Sequence, residues 1–194
     1  MQRGKTRTVG SNMRYAGFWP RFAAILIDTI VLAPLIAVSF WTLSASRTTA
    51  LLIEVPLAFA FAFYNIYFVG RWGQTIGKMA LKIRVVRLDG ADAGFTRAFY
   101  RHAVDLAFSI ATSVLTIYAL MSVTDHEYSM LVFDERLDLV ENKTGAWIRV
   151  LNWLSFAWVG SELVVLLLND KRRALHDYMA GTVVVHTSEA SVAA

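Results

Sequence analysis

Four apolar runs dominate this chain of 194 residues and constrain what it can fold into. They cover residues 19–43, 51–69, 103–122 and 146–168. As a helix rising 1.5 Å per residue, each run is long enough to cross about 30 Å of hydrocarbon. Charged residues make up only 18% of the chain, whereas a soluble domain carries about 25%. The sequence therefore predicts an all-α membrane protein, built as a bundle of four transmembrane helices.

The basic residues predict how this bundle is oriented. Fourteen Lys and Arg side chains lie in the N-terminal tail, in residues 70–102 and in the C-terminal tail, whereas the other two connections together hold three. Basic loops remain on the cytoplasmic side of a membrane, so we expect both termini to be cytoplasmic. Since the positive charges lie beside the apolar runs, they favour contact with anionic lipid over contact with nucleic acid.

The segments between and after the runs carry a weaker pattern of strands. Residues 81–87 alternate apolar and basic side chains, which is typical of a half-buried strand. Residues 182–187 form a second short β-type run, and we expect the two to pair as a small cytoplasmic sheet. Residues 95–102 are interpreted as a basic lead-in to the third helix. Residues 1–14 and 188–194 are predicted to be flexible tails on either side of a single domain, residues 15–187.

Charged and polar side chains interrupt the apolar runs. Arg21 and Asp28 lie seven residues apart in the first run, so a helix places both on one face. The third run carries a polar stripe, and the fourth carries an acid. A carboxylate inside a bilayer is energetically expensive and usually faces the bundle interior or a wet cavity. We therefore expect a polar pocket open to the cytoplasm. The side chains of this predicted ion or proton pathway are Asp28, Asp105, Ser109, Thr112 and Glu162.

A structural interpretation of the same charges remains open. Arg21 and Arg101 could pair with Asp28 and Asp105 and serve only to fix the register of the helices. Specificity of packing is the best-attested benefit of such buried pairs, which do not guarantee stability.

Signals for enzyme chemistry are weak. The chain has no cysteine, which excludes thiol chemistry and disulfides. The segment from Gly73 to Lys78 has one residue too few between its glycines for a phosphate loop. His176 and Asp177 are adjacent, so a helix would point them apart. We predict no catalytic residue, no metal site and no cofactor, and hence a protein that is not an enzyme.

Three ordered segments of the chain resemble the RDD family of membrane proteins, named for one arginine and two aspartates. They are residues 15–28, residues 73–86 and residues 173–185. On this resemblance Arg21 and Asp28 match the arginine and the first aspartate, and Asp177 matches the second. The other motif positions, in the cytoplasmic loop and the closing segment, are Gly73, Gln74, Gly77, Lys78, His176 and Gly181. The resemblance implies a multi-pass protein, most often bacterial and hence of the plasma membrane. Family members are mostly of unassigned function, and some are linked to sodium/proton or related cation antiport.

Two functional hypotheses follow. In the first, the protein exchanges a monovalent cation or a proton across the membrane, with Asp28 as the titrating site. Four helices make a small transporter, so this hypothesis also predicts a homo-oligomer. In the second, the protein is a non-catalytic scaffold or accessory subunit that docks a partner through its cytoplasmic face. Arg21, Asp28 and Asp177 would then act as a structural clamp.

Overall fold

The computed structural model describes residues 13–187 of the chain. Residues 1–12 of the tail predicted for residues 1–14, and the whole tail predicted for residues 188–194, lie outside the described residues. Eight helices and two strands occupy the described part. In chain order they are α1 (Phe18–Ala45), α2 (Arg47–Trp72), α3 (Ile76–Ala80), β1 (Ile83–Arg87), α4 (Gly94–Met121), α5 (Asp125–Met130), α6 (Phe133–Thr144), α7 (Ala146–Leu168), α8 (Leu175–Ala180) and β2 (Thr182–His186).

Four of the helices, α1, α2, α4 and α7, are long and apolar enough to cross a membrane. Their most apolar windows have mean hydropathies of 1.6 to 2.3, and no more than 17% of any window is buried inside the protein. Such exposed apolar surface requires a lipid environment. The predicted fold class, an all-α membrane protein with a small β element, is confirmed.

The third spanning helix begins earlier than its apolar run. We predicted a start at residue 103, whereas α4 begins at Gly94. The basic lead-in is therefore helical. Its arginines have partners that favour this: Arg97 donates to the carbonyl of Ala180, and Arg101 donates to the carboxylate of Asp177. These charges extend the helix beyond the segment that hydropathy alone defines.

The two predicted strands pair as an antiparallel sheet. The register runs from Ile83 opposite His186 to Arg87 opposite Thr182. The outer edge of β2 is also occupied, because the His186 N–H donates to the Arg14 carbonyl at 3.1 Å. Arg14, which we assigned to the N-terminal tail, thus lies along this sheet. Covered edges leave the small sheet with few unpaired backbone groups.

The chain divides into two compact units. The first contains Met1–Asp28, Ile66–Arg101 and Glu162–Ala194, and therefore the sheet, α3 and α8. Its core is a cluster of small and branched side chains that includes Ala24, Val69, Val85 and Val184.

The second unit contains Thr29–Asn65 and His102–Ser161. Within it, the acidic connection at residues 123–145 is mostly helical, forming α5 and α6. Thr124 and Glu127 form a capping box at the start of α5, and the fully buried Tyr128 donates its hydroxyl to the Leu43 carbonyl at 2.7 Å. This connection is a packed substructure rather than a loop.

Candidate functional site

Arg21 joins the start of α1 to the C-terminal segment of the first unit. Its side chain is only 9% exposed. Its Nη1 lies 2.6 Å from Oδ2 of Asp177, and its Nη2 donates to the Arg172 carbonyl at 2.5 Å. The Nε donates to the Ala16 carbonyl at 3.1 Å. All three nitrogens of the guanidinium group therefore have partners, which fixes the side chain in one geometry.

Asp177 is the acceptor on which this part of the structure converges. It is completely buried and pairs with Arg21 and also with Arg101, whose Nη1 donates to Oδ1. The same carboxylate accepts the backbone N–H of Ala174 at 3.0 Å and the hydroxyl of Thr182 at 3.2 Å. Asp177 therefore caps the first turn of α8 and at the same time compensates buried positive charge.

A third arginine completes the group. Arg173 donates from Nη2 to the Asp177 carbonyl at 2.9 Å and from Nε to the Thr182 carbonyl at 3.0 Å. Its guanidinium lies 3.8 Å from the centre of the Tyr178 ring. We call Arg21, Arg101, Arg173 and Asp177 the arginine cluster. The cluster contains three guanidinium groups and one carboxylate, so the cluster itself carries excess positive charge.

Asp28 performs a different task, two turns further along α1. Its Oδ2 accepts the Thr75 hydroxyl at 2.6 Å, and its Oδ1 accepts the Gly77 N–H at 2.7 Å. Thr75 is the N-cap of α3, and Gly77 lies in the first turn of that helix. A carboxylate favours a helix N-terminus, where backbone N–H groups lack partners within the helix. Asp28 thereby holds α3 against α1.

The loop motif that includes Gly73, Gln74 and Gly77 is explained by backbone packing. Gly73 has φ +69°, and its carbonyl accepts the Val85 N–H at 2.7 Å. Gln74 donates its side-chain amide to the Ile83 carbonyl at 2.9 Å. A Cβ at Gly77 would lie only 2.1 Å from the Ala24 carbonyl oxygen. The motif therefore lets α3 pack closely against α1 and lets the loop before α3 hydrogen bond to β1.

Lys78 places an amine beside this contact. Its Nζ donates to the Thr75 hydroxyl oxygen, the same oxygen that bonds Asp28, at 3.4 Å. Burial lowers the pKa of Lys78 to about 7, and the positive charge of Arg101 acts in the same direction. The negative charge of Asp28 opposes this shift. Lys78 can therefore gain or lose a proton near neutral pH.

Glu162 provides another carboxylate contact in the first unit, with the imidazole of His176. Oε1 of Glu162, near the end of α7, is hydrogen bonded to Nδ1 of His176 in α8. The other ring nitrogen of His176 lies 3.8 Å from Oδ1 of Asp177. Glu162 is therefore linked through the imidazole to the arginine cluster.

The remaining members of the predicted pathway belong to the second unit. Asp105 accepts the indole N–H of Trp158 at 3.2 Å and lies 3.5 Å from Nδ1 of His102. Ser109 is half-buried, and Thr112 is exposed. The first unit thus brings together Arg21, Asp28, Glu162, His176 and Asp177, along with the loop motif.

Four contributors to the site were not among the predicted site residues: Thr75, Arg101, Arg173 and Thr182. Arg101 was considered as a partner for Asp105, but it pairs with Asp177. Arg173 and Thr182 lie within the closing segment, residues 173–185, so their position offered a signal. Among residues 13–187, no three His, Asp or Glu side chains cluster in a way that could hold a metal ion.

Together, the helices and these contacts define a class of protein. It is a polytopic α-helical membrane protein whose first spanning helix is bound, through one arginine and two aspartates, to the loop helix α3 and to the short C-terminal helix α8. The family model described as the RDD family matches residues 15–181, and the chain belongs to that family. Comparison of the chain with curated proteins and with solved structures gives no match.

Proposed function

We propose that this protein exchanges a monovalent cation for a proton across the membrane, with Asp28 as the exchange site. One observation carries the proposal: a carboxylate inside a spanning helix accepts hydrogen bonds from two uncharged donors, Thr75 and Gly77. Intramembrane carboxylates are a common feature of proton and ion pathways. A carboxylate in this position can bind either a proton or a cation.

The environment of Asp28 supports exchange at neutral pH. The Lys78 amine shares the Thr75 hydroxyl with Asp28, and its pKa of about 7 lets the local charge change by one unit within the physiological range. The proposal includes a homo-oligomer in the plasma membrane, with both termini cytoplasmic. In that orientation the acidic connection at residues 123–145 faces outwards, where it attracts cations.

Flux measurements in liposomes test this function. Proton movement is followed with an internal pH-sensitive dye while gradients of Na⁺, K⁺ or Li⁺ are imposed. We expect cation-driven proton movement in the wild type and its loss in Asp28→Asn, which keeps the side-chain shape but removes the charge. Asp170→Asn is the matched control, because Asp170 is an exposed acid just after α7. An active Asp28→Asn variant would remove Asp28 from the mechanism.

A second candidate function is that of a non-catalytic scaffold or accessory subunit. The observation that favours it is that Arg21, Asp28 and Asp177 all make intramolecular contacts that join elements of the first unit. In this proposal they form a structural clamp, and the unit they stabilise docks a partner protein.

The scaffold function predicts liposomes without flux and a stoichiometric partner that co-purifies with the protein. Asp177→Ala should release that partner. Because this variant could also unfold, Met179→Gln provides a second test: Met179 is 48% exposed on α8 and its replacement leaves the arginine cluster intact. Finding only self-association in the wild type would contradict the scaffold proposal.

A further inference from the structure

A cleft of about 590 Å³ lies between the start of α1 and the segment that follows α7, within the first unit. Most of its lining is apolar or aromatic, with contributions from Tyr15, Phe18, Trp19 and Leu167. Among the described residues that line the cleft, Arg172 is the only charged one. The cleft therefore combines apolar walls with one fixed cationic group.

The position of the cleft places it at a membrane boundary. Trp19 is the second residue of α1, and Leu167 is the second-last residue of α7, and both helices are long enough to span. Trp and Tyr side chains concentrate at the level of lipid headgroups. Trp19 and Leu167 are 74% and 51% exposed, as expected for side chains that contact lipid.

The backbone around Arg172 is held firmly. Arg172 adopts a φ of 48°, a left-handed conformation that is unfavourable for a residue with a Cβ. Its N–H donates to the Asn169 carbonyl at 3.0 Å, and its carbonyl accepts from the buried Arg21 side chain. The arginine cluster therefore fixes the backbone from which the exposed Arg172 side chain projects.

We propose that this cleft binds one anionic glycerophospholipid, with the phosphate at the Arg172 guanidinium and the acyl chains along α1 and α7. Charge complementarity supports this occupant, because the one charged residue among the described lining residues is an arginine, and a guanidinium forms paired hydrogen bonds with phosphate. Apolar side chains continue from the cleft along both helices. Phe22 of α1 is 41% exposed and Leu163 of α7 is 40% exposed, so each offers contact to an acyl chain.

Lipid retention by the full-length protein, measured by native mass spectrometry, tests the site. The probes are phosphatidylglycerol and phosphatidylcholine at equal concentration. We expect the wild type to retain one phosphatidylglycerol molecule in preference to phosphatidylcholine. Arg172→Gln should reduce that preference by about tenfold, because charge-assisted hydrogen bonds to the phosphate are lost. The variant keeps the backbone carbonyl that Arg21 requires, so the fold is preserved.

Two further variants separate this site from general surface attraction. Lys171→Gln removes one charge from the adjacent, exposed residue, and it should leave the preference unchanged. Gly17 lines the cleft, and a Cβ there meets nothing within 4 Å, so a larger side chain fits at this position without a clash. In Gly17→Leu the leucine side chain should fill part of the cleft and exclude both lipids. Equal losses in Arg172→Gln and Lys171→Gln, or unchanged retention in Gly17→Leu, would overturn the proposal. Displacement of phosphatidylglycerol by millimolar inorganic phosphate would also overturn it, since the site would then bind free anions.

Discussion

At the scale of single residues, Asp177 is the carboxylate that joins α1, α4 and α8 in the first unit. It is completely buried and pairs with Arg21 and Arg101. Asp177→Asn keeps the volume but leaves buried guanidinium charge uncompensated. Removing one partner from a buried ion pair typically costs about 3–5 kcal/mol. We expect a loss of this size, measured by chemical denaturation in detergent.

The double variant provides the control. Arg21→Met removes one of the guanidinium groups and leaves Asp177 paired with Arg101, so it should cost less than Asp177→Asn. In Arg21→Met combined with Asp177→Asn, the two losses should be less than additive, because Asp177→Asn leaves the Arg21 charge uncompensated and Arg21→Met removes that charge. Strict additivity would mean that the two side chains do not stabilise each other.

Lys78 gives a pH-dependent prediction at the same scale. Its pKa falls from the ordinary 10.5 to about 7 on folding, so between these values the unfolded chain binds more protons than the folded one. Stability should therefore rise with pH from about 7 to about 10.5, while the penalty for the desolvated ammonium of this half-buried lysine is fully present below pH 7. The stability of Lys78→Met should accordingly exceed that of the wild type by most near pH 6, and this difference in stability should vanish towards pH 10.

Denaturation midpoints measured at a series of pH values test this trend. Lys171→Met is the matched control, because Lys171 is an exposed lysine of the same unit. It should show no pH-dependent difference from wild type. If Lys78→Met also showed none, the lysine would titrate at its ordinary pKa and the support it gives to proton exchange would be lost.

At the scale of elements, the contact between α3 and α1 depends on one glycine. A Cβ at Gly77 would lie 2.1 Å from the Ala24 carbonyl oxygen, which belongs to helical backbone and has little freedom to move. Gly77→Ala should force α3 away from α1 and weaken the Asp28 contacts. Overpacking of this kind costs about 1–3 kcal/mol. Denaturation midpoints should report the loss.

Gly160→Ala is the matched substitution, since a Cβ at this helical position meets nothing within 4 Å. Replacing an unconstrained helical glycine should be neutral or stabilise the protein by about 0.5–1 kcal/mol. If Gly77→Ala behaved like Gly160→Ala, α3 would not be packed closely against α1.

The elements also show what sequence reasoning can reach. Long apolar runs identified the four spanning helices, period-2 alternation identified the first strand, and a short run of β-branched residues identified the second, because all three signals are local. The early start of α4 was not predicted, since Arg97 and Arg101 are stabilised there by acceptors about 80 residues away in the chain. The partner of Arg21 lies 156 residues away, so helical spacing alone pointed to Asp28. The family resemblance, rather than the periodicity, placed Asp177 with Arg21.

At the scale of the whole molecule, the charge distribution predicts the topology. Four crossings would return the chain to the side on which it began, and the excess of Lys and Arg at both ends and in residues 70–102 predicts that this side is cytoplasmic. The chain contains no cysteine, so single cysteines report sidedness without any background. Two exposed residues are suitable positions for such cysteines: Leu88 in the basic connection at residues 70–102, and Ser129 in the acidic connection at residues 123–145.

Labelling with a membrane-impermeant maleimide in intact cells tests this topology. Ser129→Cys, in the acidic connection, should react before the membrane is opened, whereas Leu88→Cys should react only afterwards. The opposite pattern would place the basic segments outside and move the Arg172 cleft to the outer leaflet. Reaction of both cysteines in intact cells would mean that fewer than four helices cross the membrane. Only the expected pattern places the proposed lipid site, the arginine cluster and Asp28 near the cytoplasmic boundary, where an exchange site at Asp28 would take up cytoplasmic protons.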